Sequence, residues 1–127
     1  MKYRKFEDLP VWQEAREFTS FIYGLINNNP LLKKDYGLSD QLRRSTVSIL
    51  LNISEGFERG SNKDCAHFID FAKGSAGEVR SIGYVMLDNN YIAKNDFEKI
   101  KITTEGLSNQ PSGFKKYLIK NEFIKEF

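Results

Sequence analysis

Residues able to do chemistry are sparse in this chain. The one histidine, His67, follows Asp64 by three positions and Cys65 by two, so a carboxylate, a thiol and an imidazole fall within one helical turn. A carboxylate and an imidazole at i and i+3 form the ligand pair of di-iron helix bundles, but such a site needs a second pair and two further glutamates. One histidine cannot supply it, so Asp64 reads as a helix-capping residue and His67 as a surface residue. A Cys65–His67 nucleophile and base fails for another reason: residues two apart on a helix point away from each other. Cys65 reads as a small packed side chain. Gly56, Gly60, Gly74 and Gly77 lie on or at the ends of helices, outside the strand-turn-helix setting of a phosphate loop. No nucleophile, base and orienting group come together. The expectation is a non-enzyme with no metal, cofactor or small-molecule substrate.

A second constellation is polar but not catalytic. At about 100° per residue, Arg44, Ser48, Asn52, Glu55 and Arg59 fall within a helical band less than about 90° wide. The band runs beside Ile49, Leu50, Leu51 and Ile53, in the most hydrophobic part of the chain. Glu78 and Arg80, on the next helix, are candidate partners. Two chemistries fit. In the structural one, Glu55 pairs with Arg59, and Arg44 bonds to Glu78 or to an adjacent subunit, fixing register more than adding stability. In the functional one, Arg43, Arg44 and Arg59 contact phosphate. The nearby acids, which would neutralise a phosphate site, weigh toward structure.

Four amphipathic segments must position these residues. The first is predicted from about Leu9 to Asn28, with Asp8 as its cap and Pro10 in the first turn, where a missing N–H does little harm. Val11, Ala15, Phe18, Ile22 and Leu25 carry its core spacing, and Trp12, Thr19 and Ile26 form a second stripe. Pro30 ends it. The second starts at Gly37-Leu38-Ser39 with Ser39 as N-cap and ends at Gly60. Its core positions are Leu42, Thr46, Ile49, Ile53 and Gly56, widened by Val47, Leu50, Leu51 and Phe57. Ser61 to Asp64 resembles a capping box for the third, whose pattern is Phe68, Phe71, Ala72, Ser75, Val79, Ile82 and Met86. Gly74 and Gly77 interrupt it at roughly 1 kcal/mol each, which close approach of a neighbouring helix would offset. Asn95 and Glu98 mark the start of the fourth, with Phe97, Ile100, Thr104 and Leu107 inward; Phe114, Tyr117 and Leu118 resume the stripe beyond Pro111. A kink or break is expected between Ser108 and Gly113. The pattern places neither Phe123, Ile124 nor Phe127. The whole reads as one all-α domain over residues 1–127, an antiparallel up-down-up-down four-helix bundle. The double stripes on the first two helices predict a homo-oligomer to bury the excess.

Composition narrows the setting. The chain has 127 residues, 40% hydrophobic and 28% charged, which suits one ordinary globular domain. A formal charge of +2 is spread without any basic arm or acidic tail, so a nucleic-acid surface would have to be assembled by the fold. No apolar run approaches the roughly 20 residues of a membrane span. The N-terminal residues lack the apolar core of a secretory signal, and the lone Cys65 excludes an internal disulfide, so a cytoplasmic location is expected.

The sequence resembles the bacterial four-helix-bundle proteins encoded in intervening sequences of 23S ribosomal RNA genes. The matching stretches are Phe6 to Gln13 (FEDLPVWQ), Tyr36 to Ser45 (YGLSDQLRRS), Val47-Ser48-Ile49, Asn52 to Gly56 (NISEG), Phe68, and Ala72 to Ser75 (AKGS) with Glu78. The resemblance covers about residues 3–92. It implies a ring-like homopentamer, and kinship with the basic pentameric accessory proteins of diversity-generating retroelements, which contact nucleic acid and a reverse transcriptase. Its motif positions here are Arg43, Arg44, Asn52, Glu55, Gly56, Gly74, Ser75 and Glu78. The chain departs from the pattern at Gly77 and most at Pro111.

The resulting expectation is a non-enzymatic homo-oligomeric bundle that binds structured RNA or a nucleic-acid-bound protein. Arg43, Arg44, Arg59 and Lys73 would contact phosphate. Ser48, Asn52, Glu55 and Glu78 would form an assembly band, and Gly56, Gly74 and Ser75 would allow helices to pack closely. The alternative is a structural or protein-interaction scaffold without nucleic-acid binding.

Overall fold

A computed structural model describes residues 3–120, with side chains through residue 109. The described residues are all helical or loop, with no strand. A 3-10 turn at Phe6–Asp8 precedes α1 (Pro10–Asn27), α2 (Pro30–Lys34), α3 (Tyr36–Glu58), α4 (Asn62–Asp88) and α5 (Lys94–Lys120). Contacts between α3 and α4 run in opposite sense: Ser45 meets Glu78, Ser48 meets Ser75, and Gly56 meets Cys65. Trp12 on α1 meets Ser54 on α3, while Phe21 and Glu14 of α1 approach Lys99 and Gly106 of α5.

Local chemistry explains most boundaries. Pro10 occupies the first turn of α1, but its N-cap is Leu9, and Asp8 lies in the preceding 3-10 turn and makes no cap. Pro30 both closes α1 and opens α2, a short helix absent from the expected four. α3 begins before Ser39: its N-cap is Asp35, whose carboxylate accepts from the Leu38 N–H at 3.3 Å. Ser39 is instead buried one turn inside, and its hydroxyl donates to the Leu32 carbonyl, tying α2 to α3. Gly60 adopts φ 83°, the left-handed conformation glycine tolerates best, and Ser61 Oγ accepts from the Asp64 N–H at 3.1 Å to start α4. The fourth long helix starts at Lys94, so Asn95 is already inside it. The break expected between Ser108 and Gly113 is not present: α5 continues through Pro111 to Lys120. A proline removes one helical hydrogen bond without obliging the helix to end when the turns on either side hold. Phe114, Tyr117 and Leu118 have no described side chains, and Phe123, Ile124 and Phe127 lie outside the described residues.

One core joins the elements. Val11, Ala15, Phe18, Ile22 and Leu25 of α1 pack with Leu42, Ile49 and Ile53 of α3, and with Phe97, Ile100 and Leu107 of α5. On α4 the buried seam is Cys65, Ile69, Ala72, Ala76, Val79 and Met86, whereas Phe68 is only half-buried and Phe71 is 50% exposed. α1's second stripe is consumed within the chain. Ile26 is fully buried, the Trp12 ring packs 5.1 Å from Phe6 while its indole N–H donates to Ser54 Oγ at 2.9 Å, and Thr19 bonds to the Ala15 carbonyl. α1's second stripe thus finds partners within the chain, while Tyr23 of the same helix is 39% exposed.

Asp35 has a second duty, accepting from the Tyr91 hydroxyl at 3.0 Å and so tying the start of α3 to the loop before α5. That hydrogen bond, reinforced by partial burial and the carboxylate's charge, raises the Tyr91 pKa above its ordinary value near 10. The sign follows: the bond's contribution is whole below about pH 10, and it fades as the unfolded chain's tyrosine ionises first. Urea midpoints measured from pH 8 to 11 should fall in the alkaline range, and more steeply than for Tyr91→Phe. Equal slopes would show that Tyr91 contributes nothing there.

Candidate functional site

The polar band on α3 divides into two parts. The part facing α4 is a clamp. Ser48 and Ser75 hydroxyls lie 2.9 Å apart, and Asn52 Nδ2 donates to the Ser48 carbonyl at 2.8 Å and to its hydroxyl at 2.9 Å. Ser45 Oγ donates to Glu78 Oε2 at 3.3 Å. These groups satisfy one another across a half-buried seam, where an unpaired polar atom would be destabilising. The clamp fixes the register of two helices and presents little that a ligand could use.

The outward part is charged and exposed. Arg44 Nε sits 3.0 Å from Asp40, with the two side chains 80% and 59% exposed. Arg59 Nε sits 3.1 Å from Glu55, with side chains about half exposed, and its guanidinium lies 5.0 Å from the Phe68 ring centre. The expected Arg59–Glu55 pair is present. The expected Arg44–Glu78 pair is not, because Glu78 bonds to Ser45 and Arg44 turns back one turn along its own helix. Between the two ion pairs lie Val47, half-buried, and Leu51, 59% exposed. Tyr23 of α1 joins Asp40, Arg43, Arg44, Val47, Ser48, Leu51 and Asn52 in lining an open groove there.

The residues named for phosphate contact thus do not converge as a set. Arg43 and Arg44 share the groove, Arg59 lies toward the far end of α3, and Lys73 is exposed on α4 outside the groove lining. Of the close-packing positions, Ser75 is buried and meets Ser48 across the seam, and of the two glycines only Gly56 is tight. A Cβ there would come within 3.1 Å of both the Cys65 carbonyl oxygen and Phe68 Cβ, whereas one at Gly74 or Gly77 would meet nothing within 4 Å. Gly74 is exposed, so it serves no close approach. The tight glycine that sequence reasoning missed is Gly83, whose Cβ would lie 3.3 Å from Ile100. Its one sequence signal was its place seven residues after Ala76, in register with the small residues of the seam.

Elsewhere, His67 packs edge-on to Phe71, ring centres 4.6 Å apart, and lines a shallow depression with Lys63, Asp64 and Asp70. Cys65 is fully buried, so it is removed from His67 as expected. Among the described residues no group of three or more His, Cys, Asp or Glu could hold a metal ion, and no helix is long and apolar enough to cross a membrane.

Comparison with known proteins places this geometry. A solved structure of a protein of unknown function, from the S23 ribosomal protein family of Bacteroides thetaiotaomicron VPI-5482, has a similar fold. It superposes with a TM-score of 0.77 at 24% identity, over 84% of this chain and 95% of that one. No curated protein matches the chain. Residues 7–113 match the family described as 23S rRNA-intervening sequence protein, and the chain belongs to that family.

Proposed function

We propose that this chain is a non-enzymatic interaction module: an up-down-up-down four-helix bundle, bent at Pro111, that presents the outward face of α3 to a protein partner. The observation that carries this reading is the state of the arginines. Arg44 and Arg59 are each answered by a carboxylate one turn earlier on their own helix, and exposed Leu51 lies between the pairs. Phosphate recognition needs positive charge that is free to displace counterions. Protein contacts instead favour paired charge around a small apolar centre. The buried lone Cys65 suits a reducing compartment, and we place the module in the cytoplasm. Self-association belongs to the reading, with the ring of five implied by the resemblance as one copy number to be measured.

RNA is the competing ligand, and a salt titration against a structured ribosomal-RNA fragment separates the two. The expected result is no saturable binding at about 50 mM salt, where non-specific electrostatics are strong. Saturable binding that weakens linearly in log–log form, with a slope of several phosphate contacts, would overturn the protein-module reading and return Arg43, Arg44, Arg59 and Lys73 to the role of phosphate ligands.

A further inference from the structure

One arginine of the α3 groove is left without an acceptor. The Trp12–Ser54 bond fixes the antiparallel register of α1 on α3. Counting eleven residues on from Trp12 and eleven back from Ser54 brings Tyr23 level with Arg43. Arg44 is paired with Asp40, while the Ser48 hydroxyl and the Asn52 amide N–H groups are spent on the clamp. Among the described residues Arg43 has no ion pair or hydrogen bond, and neither has the Tyr23 hydroxyl. Arg43 is nevertheless half-buried, so part of its hydration is lost with no acceptor supplied in return. Along the same flank of α3, Val47 and Leu51 follow Arg43 at about 6 and 12 Å, at 1.5 Å per residue. Both line the groove, whose volume is about 500 Å³, and Tyr23 of α1 lines it too.

We infer that this groove takes an acidic, amphipathic helix of the protein partner, with a carboxylate on Arg43 and the Tyr23 hydroxyl and apolar side chains on Val47 and Leu51. The inference rests on the reading of α3 as a protein-binding face and states the chemistry of what binds there. A guanidinium and a phenol together offer N–H and O–H donors to both oxygens of one carboxylate, and charge-assisted bonds of this kind are the strong ones. One free guanidinium balances one negative charge. A phosphate dianion would be left half-neutralised in a groove that Asp40 also lines. Apolar side chains four and eight residues from an acidic one lie on one flank of a helix, the same spacing that Val47 and Leu51 keep from Arg43.

The test is fluorescence anisotropy with labelled, alanine-rich helical peptides of blocked termini. Each carries one glutamate and leucines four and eight residues away, in one chain direction or the other. Saturable binding is expected for one direction, weakened at least about tenfold when glutamine replaces the glutamate. Arg43→Gln should cost the same factor, and combined with the glutamine peptide it should cost nothing further, the signature of a direct pair. Tyr23→Phe should lose part of that factor, and Leu51→Ala should weaken both peptides alike. Lys94→Gln, at an exposed position on α5 outside the groove, should bind as wild type does. No binding in either direction at about 1 mM peptide would overturn the inference. So would equal effects of Arg43→Gln on the two peptides, or displacement by inorganic phosphate, which would assign the guanidinium to phosphate. The RNA titration keeps the two readings apart. If peptides and RNA both fail to bind, the protein-module reading stands with a partner of other chemistry, whereas saturable RNA binding that is lost with Arg43→Gln would overturn both.

Discussion

Phe57→Ala should lower the free energy of unfolding by about 3–5 kcal/mol. The ring is fully buried in the last turn of α3, within a core that α1, α4 and α5 share. Two terms add: the aromatic surface loses its transfer energy, and the cavity left behind cannot close while its walls are held by helices on several sides. Against a total stability of roughly 5–15 kcal/mol for a domain, such a loss is a large fraction. It should appear as a fall in melting temperature of roughly 10–20 °C. Urea denaturation followed in parallel by Trp12 fluorescence and far-ultraviolet dichroism measures it. Trp12 reports on the α1–α3 contact through its bond to Ser54, so coincident curves would also show that the helices unfold together. A loss under about 1 kcal/mol would mean that the end of α3 is not packed as described. Leu51→Ala, 59% exposed on the same helix, should change monomer stability by no more than about 0.5 kcal/mol.

The contrast between Phe57 and Leu51 shows how far periodicity carries. Both read from the sequence as residues that merely widen α3's apolar face, because spacing gives a direction around the helix but not how many neighbours surround it. Where a single strong stripe exists the reading holds: every core position named on α1 and α3 is buried, and so are Phe97, Ile100, Thr104 and Leu107 on α5. On α4 it holds for Ala72, Ser75, Val79, Ile82 and Met86, all buried, and fails at Phe68 and Phe71, where the larger side chains drew the predicted seam off its line. The buried seam also takes in Cys65, Ile69, Ala76 and Gly83, which the predicted stripe left out. Small residues let helices approach, but their low hydrophobicity gives them little weight in a pattern. The site was legible to a similar degree. Placing Arg44, Ser48, Asn52, Glu55 and Arg59 on one band needed only helical geometry. That Ser48 would face Ser75 while Arg44 turned to Asp40 depended on which neighbour lies on each flank. Links such as Trp12 to Ser54 and Tyr91 to Asp35 join distant segments, and no local spacing announces them.

The same seam supports a prediction that turns on sign. Gly56 and Gly74 sit in helix interiors, and by intrinsic propensity alone alanine at either should gain about 1 kcal/mol. At Gly74 nothing lies within 4 Å of a new Cβ and the position is exposed, so Gly74→Ala should stabilise by about 0.5–1 kcal/mol. At Gly56 the new methyl would come within 3.1 Å of the Cys65 carbonyl oxygen and of Phe68 Cβ. Phe68 can yield, being half-buried, but the carbonyl belongs to the backbone of α4's first turns, and moving it shifts the helix. Overpacking of this kind typically costs about 1–3 kcal/mol, enough to outweigh the propensity gain, so Gly56→Ala should be net destabilising and Gly56→Val more so. The clamp through Ser48 and Ser75 makes the strain harder to relieve, because separating the two helices would break those bonds as well. Denaturation midpoints of the two alanine variants should therefore move in opposite directions from wild type. If both rose, the chain at Gly56 would have room that this packing denies, and α3 and α4 would be held by their polar clamp and apolar seam without the glycine contact.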